Sequence, residues 1–109
     1  MPDTLQERCE RLVQPVTSLA ATSLGAAVSP TGIDDALAAA RAVKAILDED
    51  ASGIEPGGFT DWLPTGRRTV AAMIDALERG DAETSYKLFT DQASGFYRLG
   101  IACQGFQGW

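Results

Sequence analysis

Apolar residues recur at helical spacing from the start of the chain. In residues 3–27 they are separated by four and then three positions, a period that runs from Leu5 through Leu12 to Leu19. This spacing is typical of one buried face of an α-helix. Pro15 lies inside the segment and lacks the N–H that an interior helical residue donates. We therefore predict a first helix kinked at Pro15, with two shorter helices as the alternative.

The same periodicity returns in three later segments, residues 31–51, 60–79 and 81–103. Thr31 and Asp81 stand where N-caps are expected, and Gly80 is a typical stop signal. Only residues 79–81 join the last two segments, so their helices should form an antiparallel hairpin. Glycine, proline and polar residues predict a flexible central loop at 52–59, and the glycine-rich residues 104–109 predict a flexible tail.

Together the four segments predict a single all-α domain over residues 1–109. Its most direct arrangement is a small antiparallel four-helix bundle. Alanine and glycine lie on several helix faces, and Gly100 lies on an apolar stripe, so a second chain has room to approach closely. The alternative fold is therefore a pair of helical hairpins that completes its core as a homodimer.

The chain is acidic, with a formal net charge of −6 in 109 residues. A negative domain repels the phosphates of nucleic acids and the headgroups of anionic membranes, so we expect neither as a partner. No segment has the length and apolarity of a membrane span, and the first residues lack the basic and apolar regions of a signal peptide. We therefore expect a cytoplasmic protein.

The sequence contains no histidine, the commonest general base and metal ligand of proteins. Its carboxylates lie mostly on helix faces opposite the apolar stripes. Residues 102–107 resemble the last helix of cytochrome c′-type bundles, which carries a CxxCH haem-attachment motif. Phe106 and Gln107 stand in place of the second cysteine and the histidine of that motif. We therefore predict no catalytic residue, no metal site and no cofactor.

The two cysteines, Cys9 and Cys103, lie on apolar stripes near the start of the first helix and the end of the last. These two ends meet in an up-down-up-down bundle, an arrangement that allows the two residues to lie at the same level and makes a disulfide sterically possible. The sequence does not determine whether they are close in space. A cytoplasmic protein keeps its thiols reduced, however, and we therefore expect two buried free thiols.

Aromatic residues are concentrated near the central loop and at the end of the chain. Aromatic side chains in exposed, glycine-rich segments are typical anchors for a protein partner. The candidate partner contacts are therefore Phe59, Trp62, Phe106 and Trp109. The function that this pattern favours is a non-enzymatic helical interaction domain, such as an accessory subunit, adaptor or regulator of a larger protein complex.

A second class of function remains open. Arg67 and Arg68 follow glycines near a predicted helix start, where guanidinium and backbone N–H groups bind anions. With Tyr86 they form the candidate ligand-binding set. They would serve a small-molecule-binding bundle, or an enzyme with a pocket between helices.

Overall fold

A computed structural model of the chain describes residues 3–109, and over that range it is all-helical, as predicted. It has five α-helices where the periodicity predicts four. Their bounds are α1 Leu5–Val28, α2 Ile33–Leu47, α3 Gly58–Glu78, α4 Ala82–Thr90 and α5 Tyr97–Ala102, with a 3₁₀ turn at Pro30–Gly32. No helix in residues 3–109 is both long enough and apolar enough to cross a membrane.

The first helix begins with a reciprocal cap. The Thr4 hydroxyl accepts a hydrogen bond from the Glu7 N–H at 3.2 Å, and the Glu7 carboxylate accepts one from the Thr4 N–H at 3.0 Å. This capping box satisfies two N–H groups that have no helical partner. The helix then continues through Pro15 without interruption, so the alternative of two short helices is wrong. The kink at Pro15 stays a prediction.

The second helix begins later than the sequence suggests. Its N-cap is Gly32, and Thr31 lies in the preceding 3₁₀ turn, where its hydroxyl is 2.9 Å from that of Ser29. A Cβ added to Gly32 would lie 3.1 Å from the backbone nitrogen of Ala26. The turn therefore packs directly on α1, and this close approach places glycine, rather than Thr31, at the start of α2.

The third helix begins two residues before Thr60, its predicted start. Gly57 donates its N–H to the Thr60 hydroxyl at 2.9 Å, which draws the end of the loop into a helical turn. The central loop therefore spans residues 48–57. Ile54 within this loop is buried, as is Phe59 just beyond it, so the loop returns to the core.

The predicted fourth helix is divided into α4 and α5. Between them Asp91 accepts the backbone N–H groups of Ala93 and Ser94, each at 2.9 Å, and this turn replaces the helical bonds. A Cβ at Gly95 would lie 2.4 Å from the Asp91 carbonyl oxygen, so only glycine fits there. Phe89 and Phe96 stack across the turn with centroids 5.0 Å apart.

The helices bury a continuous apolar core. Helix α1 packs on α2, α2 on α3, α3 on α4 and α4 on α1, while α5 packs on α3. Trp62 is the largest fully buried residue, and its ring meets Phe96 edge-on with centroids 5.4 Å apart. Burial of an aromatic ring of this size contributes several kcal/mol, about 25 cal/mol for each Å² of apolar area removed from water.

Candidate functional site

Phe59 and Trp62, two of the four predicted partner contacts, lie in the core. The Trp62 indole N–H donates to the Gly95 carbonyl oxygen at 3.1 Å, in a fully buried hydrogen bond. Thr69 supplies a second bond to the same turn, from its hydroxyl to the Ser94 carbonyl at 2.9 Å. These residues of α3 therefore fix the turn between α4 and α5, and the two aromatic rings offer no surface to a partner.

Phe106 and Trp109, the other two predicted contacts, are half-buried against the edge of the core. The Trp109 indole N–H donates to the Cys9 carbonyl oxygen of α1 at 2.7 Å. Two turns carry the chain back to that point, since Phe106 donates its N–H to Cys103 and Trp109 donates its own to Phe106, both at 3.1 Å. The tail therefore folds back against α1.

A disulfide joins Cys9 and Cys103, whose Cα atoms are 5.7 Å apart. The sequence left open whether these two residues are close in space, and here they are; the expectation of free thiols is wrong. The reason is geometric, since the start of α1 and the end of α5 meet within the ordinary Cα separation of a disulfide. Both cysteines are fully buried.

The three candidate ligand-binding residues lie on two helices, Arg67 and Arg68 on α3 and Tyr86 on α4. Arg67 donates to the carbonyl oxygens of Leu47 and Glu49, at 2.7 and 3.3 Å, and so caps the C-terminal end of α2. Arg68 is exposed and donates to the Thr65 hydroxyl at 3.3 Å, and Tyr86 lies half-buried on α4. The guanidinium of Arg67 therefore binds backbone carbonyls where an anion was expected.

Arg8 is a key residue that sequence reasoning missed. It is fully buried, and it pairs with the Asp3 carboxylate at 3.0 Å. It also donates to the carbonyl oxygens of Ile46 and Asp50, at 3.3 and 2.6 Å. The signal was present in the sequence, since position 8 is three residues after Leu5 and four before Leu12, on the apolar stripe itself.

Arg11 completes this cluster at the surface. Its guanidinium donates to both carboxylate oxygens of Glu49, at 2.7 and 2.6 Å, and also pairs with Asp3. The hydrogen bonds from Arg11 hold the pKa of Glu49 below its ordinary value of 4.5, and those from Arg8 and Arg11 lower the pKa of Asp3. The acidic end of α2, which conflicts with the helix dipole, is thus compensated by arginines.

Several concavities of the described surface are open to solvent rather than enclosed. Three have volumes between 380 and 470 Å³, and none of these is lined by Arg67, Arg68 or Tyr86. The largest of these three lies between α1 and α2 and is bordered by small residues such as Ser18 and Ala38. Among residues 3–109, no group of three or more histidine, cysteine or acidic residues is arranged to hold a metal ion.

In the part of the chain that the structure describes, the large apolar side chains that remain exposed form two pairs. On α5, Tyr97 is 64% and Ile101 55% exposed, and on α1, Leu24 is 52% and Val28 79% exposed. Members of each pair are four residues apart and therefore lie on one helix face. The α5 pair belongs to a segment, residues 92–109, that carries no aspartate or glutamate in a chain with 15.

Comparison with known proteins gives no relative for this chain. No protein-family model matches it, and no curated protein or solved structure is significantly similar to it.

Proposed function

We propose that this chain is a non-enzymatic helical interaction domain, an accessory subunit, adaptor or regulator, that binds a protein partner through α5. The observation that carries the proposal is the exposure of Tyr97 and Ile101 on one face of that helix. We name this pair the α5 patch. Tyrosine is enriched at protein interfaces because its rigid ring buries a large area at a small loss of side-chain entropy.

The α5 patch is held in place from both ends. The turn before α5 is fixed by the hydrogen bond from Trp62 to Gly95, and the residue after α5, Cys103, is joined to α1 by the disulfide. Inside the helix, Leu99 is fully buried. A partner that binds this face does not have to order it first, and such preorganisation supports affinity from a small apolar area.

The charge distribution favours a protein partner with an apolar pocket beside a carboxylate. Arg98 is the only charged side chain in residues 92–109, and it adjoins the α5 patch in sequence. The rest of the surface is strongly acidic and repels a negative partner at longer range. A partner that approaches along α5 avoids this repulsion and meets Arg98 with a complementary charge.

The test is affinity capture from the source cell with two matched double variants. Y97D with I101D places charge on the α5 patch, whereas L24D with V28D places the same charge on the other exposed apolar pair. We expect wild type and the α1 variant to retain a partner in stoichiometric amount, and the α5 variant to lose it. Equal capture by all three proteins, or capture of nothing by wild type, contradicts the proposal.

For the arrangement of the helices we propose an antiparallel bundle in which α5 continues the fourth helix after the turn. Two observations support it: α1, α2, α3 and α4 each pack on the next, with α4 closing on α1, and only three residues connect α3 to α4.

A homodimer is the further prediction of the sequence. We propose the outer face of α1 for it, because no charged residue lies between Arg11 and Asp34 and two acidic copies can meet there with little repulsion.

Self-association is tested by light scattering on eluting protein at several concentrations and two salt concentrations. We expect a dimer whose dissociation is promoted by L24D with V28D and unaffected by Y97D with I101D. A monomer at every concentration contradicts the dimer and leaves the α5 proposal standing.

The disulfide also bears on location. Disulfides form and persist in oxidising compartments, so Cys9–Cys103 supports such a compartment over the cytoplasm expected from the sequence.

The alternative of a small-molecule-binding bundle with a pocket at Arg67, Arg68 and Tyr86 has less support, since Arg67 donates to backbone carbonyls.

A further inference from the structure

The tail is attached twice to a single residue of α1. Cys103 bonds to the sulfur of Cys9, and six residues later the indole of Trp109 donates to the carbonyl oxygen of the same Cys9 at 2.7 Å. Between them Gly108, at a φ of +90°, lies so close to Val13 that an added Cβ would meet its side chain at 2.6 Å. The tail therefore forms a closed loop against one turn of α1.

The rest of the C-terminal region is held by other contacts. The turn between α4 and α5 is bonded to Trp62 and Thr69 of α3, and Phe96 and Leu99 are buried in the core. None of these contacts passes through either cysteine. Opening of the disulfide thus leaves α5 seated on α3 and removes the covalent attachment of residues 103–109 alone.

We propose that the disulfide and the Trp109 indole form a redox-controlled latch, whose reduction by a dithiol frees residues 103–109 from α1. A thiolate of the dithiol attacks one cysteine sulfur, and the other sulfur leaves as a thiolate that takes up a proton. The second thiol of the reductant, as a thiolate, then attacks the reductant's own sulfur in the mixed disulfide and displaces the remaining cysteine, which leaves as a thiolate and takes up the second proton. Two electrons and two protons pass to Cys9 and Cys103, and the reductant becomes its own disulfide.

The two attachments support each other. The disulfide holds Trp109 near the Cys9 carbonyl, which makes the indole hydrogen bond an intramolecular event at high effective concentration. By thermodynamic linkage, docking of Trp109 stabilises the disulfide against reduction by the same factor. Since both sulfurs are fully buried, the docked tail also slows the approach of a thiolate.

This latch rests on the proposed function, since it regulates the binding of a partner to the α5 patch. Reduction leaves α5 seated on α3 but removes the anchor after the helix, so its last turn, which carries Ile101, is no longer held from both ends and partner affinity falls. Phe106 and Trp109 become exposed in the same step.

The first test follows the two indole N–H groups by hydrogen exchange in an NMR experiment. The chain has two tryptophans, and Trp62 serves as an internal control because its buried bond to Gly95 lies outside the latch. On reduction with dithiothreitol, and in the C9S/C103S variant, we expect the Trp109 indole to exchange about tenfold faster or more, with Trp62 still protected. Unchanged protection of Trp109 overturns the latch, and so does loss of protection at both sites, since the disulfide would then hold the whole fold.

The second test measures the equilibrium between the protein and dithiothreitol. Trp109→Phe keeps an aromatic ring and removes the donor, so we expect the reduced form to gain about three- to tenfold in the equilibrium constant. Tyr97→Phe is the matched control, since it removes a polar group from an exposed ring away from the latch. Equal shifts in the two variants, or no shift in Trp109→Phe, overturn the coupling. Neither test involves a partner, so failure of the latch is distinguishable from failure of the α5 proposal.

Discussion

At the scale of single residues, Arg8 shows how a buried charge holds two helices together. Its guanidinium bonds the Asp3 carboxylate before α1 and the Ile46 and Asp50 carbonyls at the end of α2. A buried arginine is tolerated only when its donors are engaged, because the desolvation of an unpaired charge amounts to several kcal/mol. Removal of the arginine in turn takes a hydrogen-bond donor from each of these three partners.

We therefore expect Arg8→Met to lower the free energy of unfolding by about 2–4 kcal/mol, although methionine fills much of the volume. The part-buried carbonyl of Ile46 would lose a donor, and Asp3 would keep only Arg11. Arg68→Met is the control, since Arg68 is exposed, and a change within about 0.5 kcal/mol is expected. Urea denaturation measures both, and equal effects would contradict the role assigned to Arg8.

Two buried hydroxyls differ in whether they have a partner. Ser85 is fully buried on α4 and its hydroxyl makes no hydrogen bond, whereas the buried Thr69 hydroxyl donates to Ser94. Burial of an unbonded hydroxyl is unfavourable. We expect Ser85→Ala to raise the free energy of unfolding by about 1 kcal/mol, and Thr69→Val to lower it by about the same amount. The measurement is thermal unfolding of both variants, and a loss of stability in Ser85→Ala would show that the hydroxyl finds a partner in solution.

At the scale of elements, the turn between α4 and α5 explains where sequence reasoning fell short. The apolar spacing continues across it, from Phe89 through Ala93 to Phe96, because the two phenylalanines stack on opposite sides of the turn. A spacing that suits a helix is thus also satisfied by a helix, a turn and a second helix. Asp91 and Gly95 were the local signals of the break, and their effect depends on contacts with α3.

The other helices were predictable because their determinants are local. The stripes of α1, α2 and α3 lie within each helix, and Asp81 caps α4 through the Thr84 N–H as expected. The contacts of Arg8 and Arg67, and the Cys9–Cys103 bond, join residues from different helices. No spacing along the chain specifies such pairs, so the candidate site was less predictable than the fold.

The turn is tested with two glycine substitutions of the same kind. In Gly95→Ala the new Cβ would lie within 2.5 Å of the carbonyl oxygens of Phe89 and Asp91, so the backbone must shift. We expect a loss of about 1–3 kcal/mol in the free energy of unfolding. In Gly100→Ala, within α5, the Cβ meets nothing within 4 Å, and a gain of about 0.5–1 kcal/mol is expected.

Chemical denaturation of the two glycine variants separates these cases. If Gly95→Ala is as stable as Gly100→Ala, the turn is not the rigid junction inferred from its contacts, and the support it gives to the α5 patch is lost as well.

At the scale of the whole molecule, the response to pH follows from which groups titrate. The chain has no histidine, and both cysteines are in the disulfide, so neither kind of side chain changes its charge near neutral pH. Several carboxylates instead have lowered pKa values. Backbone N–H groups of Ser94 and Ala93 lower the pKa of Asp91, and the Arg11 hydrogen bonds lower that of Glu49.

A carboxylate whose pKa is lower in the folded chain than in the unfolded chain contributes stability above the unfolded value. That contribution is lost as the pH falls through the folded value. The unfolded values are 3.8 for aspartate and 4.5 for glutamate. We therefore expect a free energy of unfolding that is flat from about pH 6 to pH 8 and declines below about pH 4.5.

Denaturation at a series of pH values measures this profile, and two variants show which carboxylate causes the decline at low pH. Asp91→Asn removes a titrating group while its side-chain oxygen still accepts the N–H groups of the turn, so the decline at low pH should become shallower. Glu55→Gln removes one charge from the exposed central loop and serves as the control for net charge. A marked change in stability between pH 6 and pH 8 would contradict the flat profile. Equal profiles for the two variants would mean that acid lability arises from overall charge rather than from the caps and ion pairs described above.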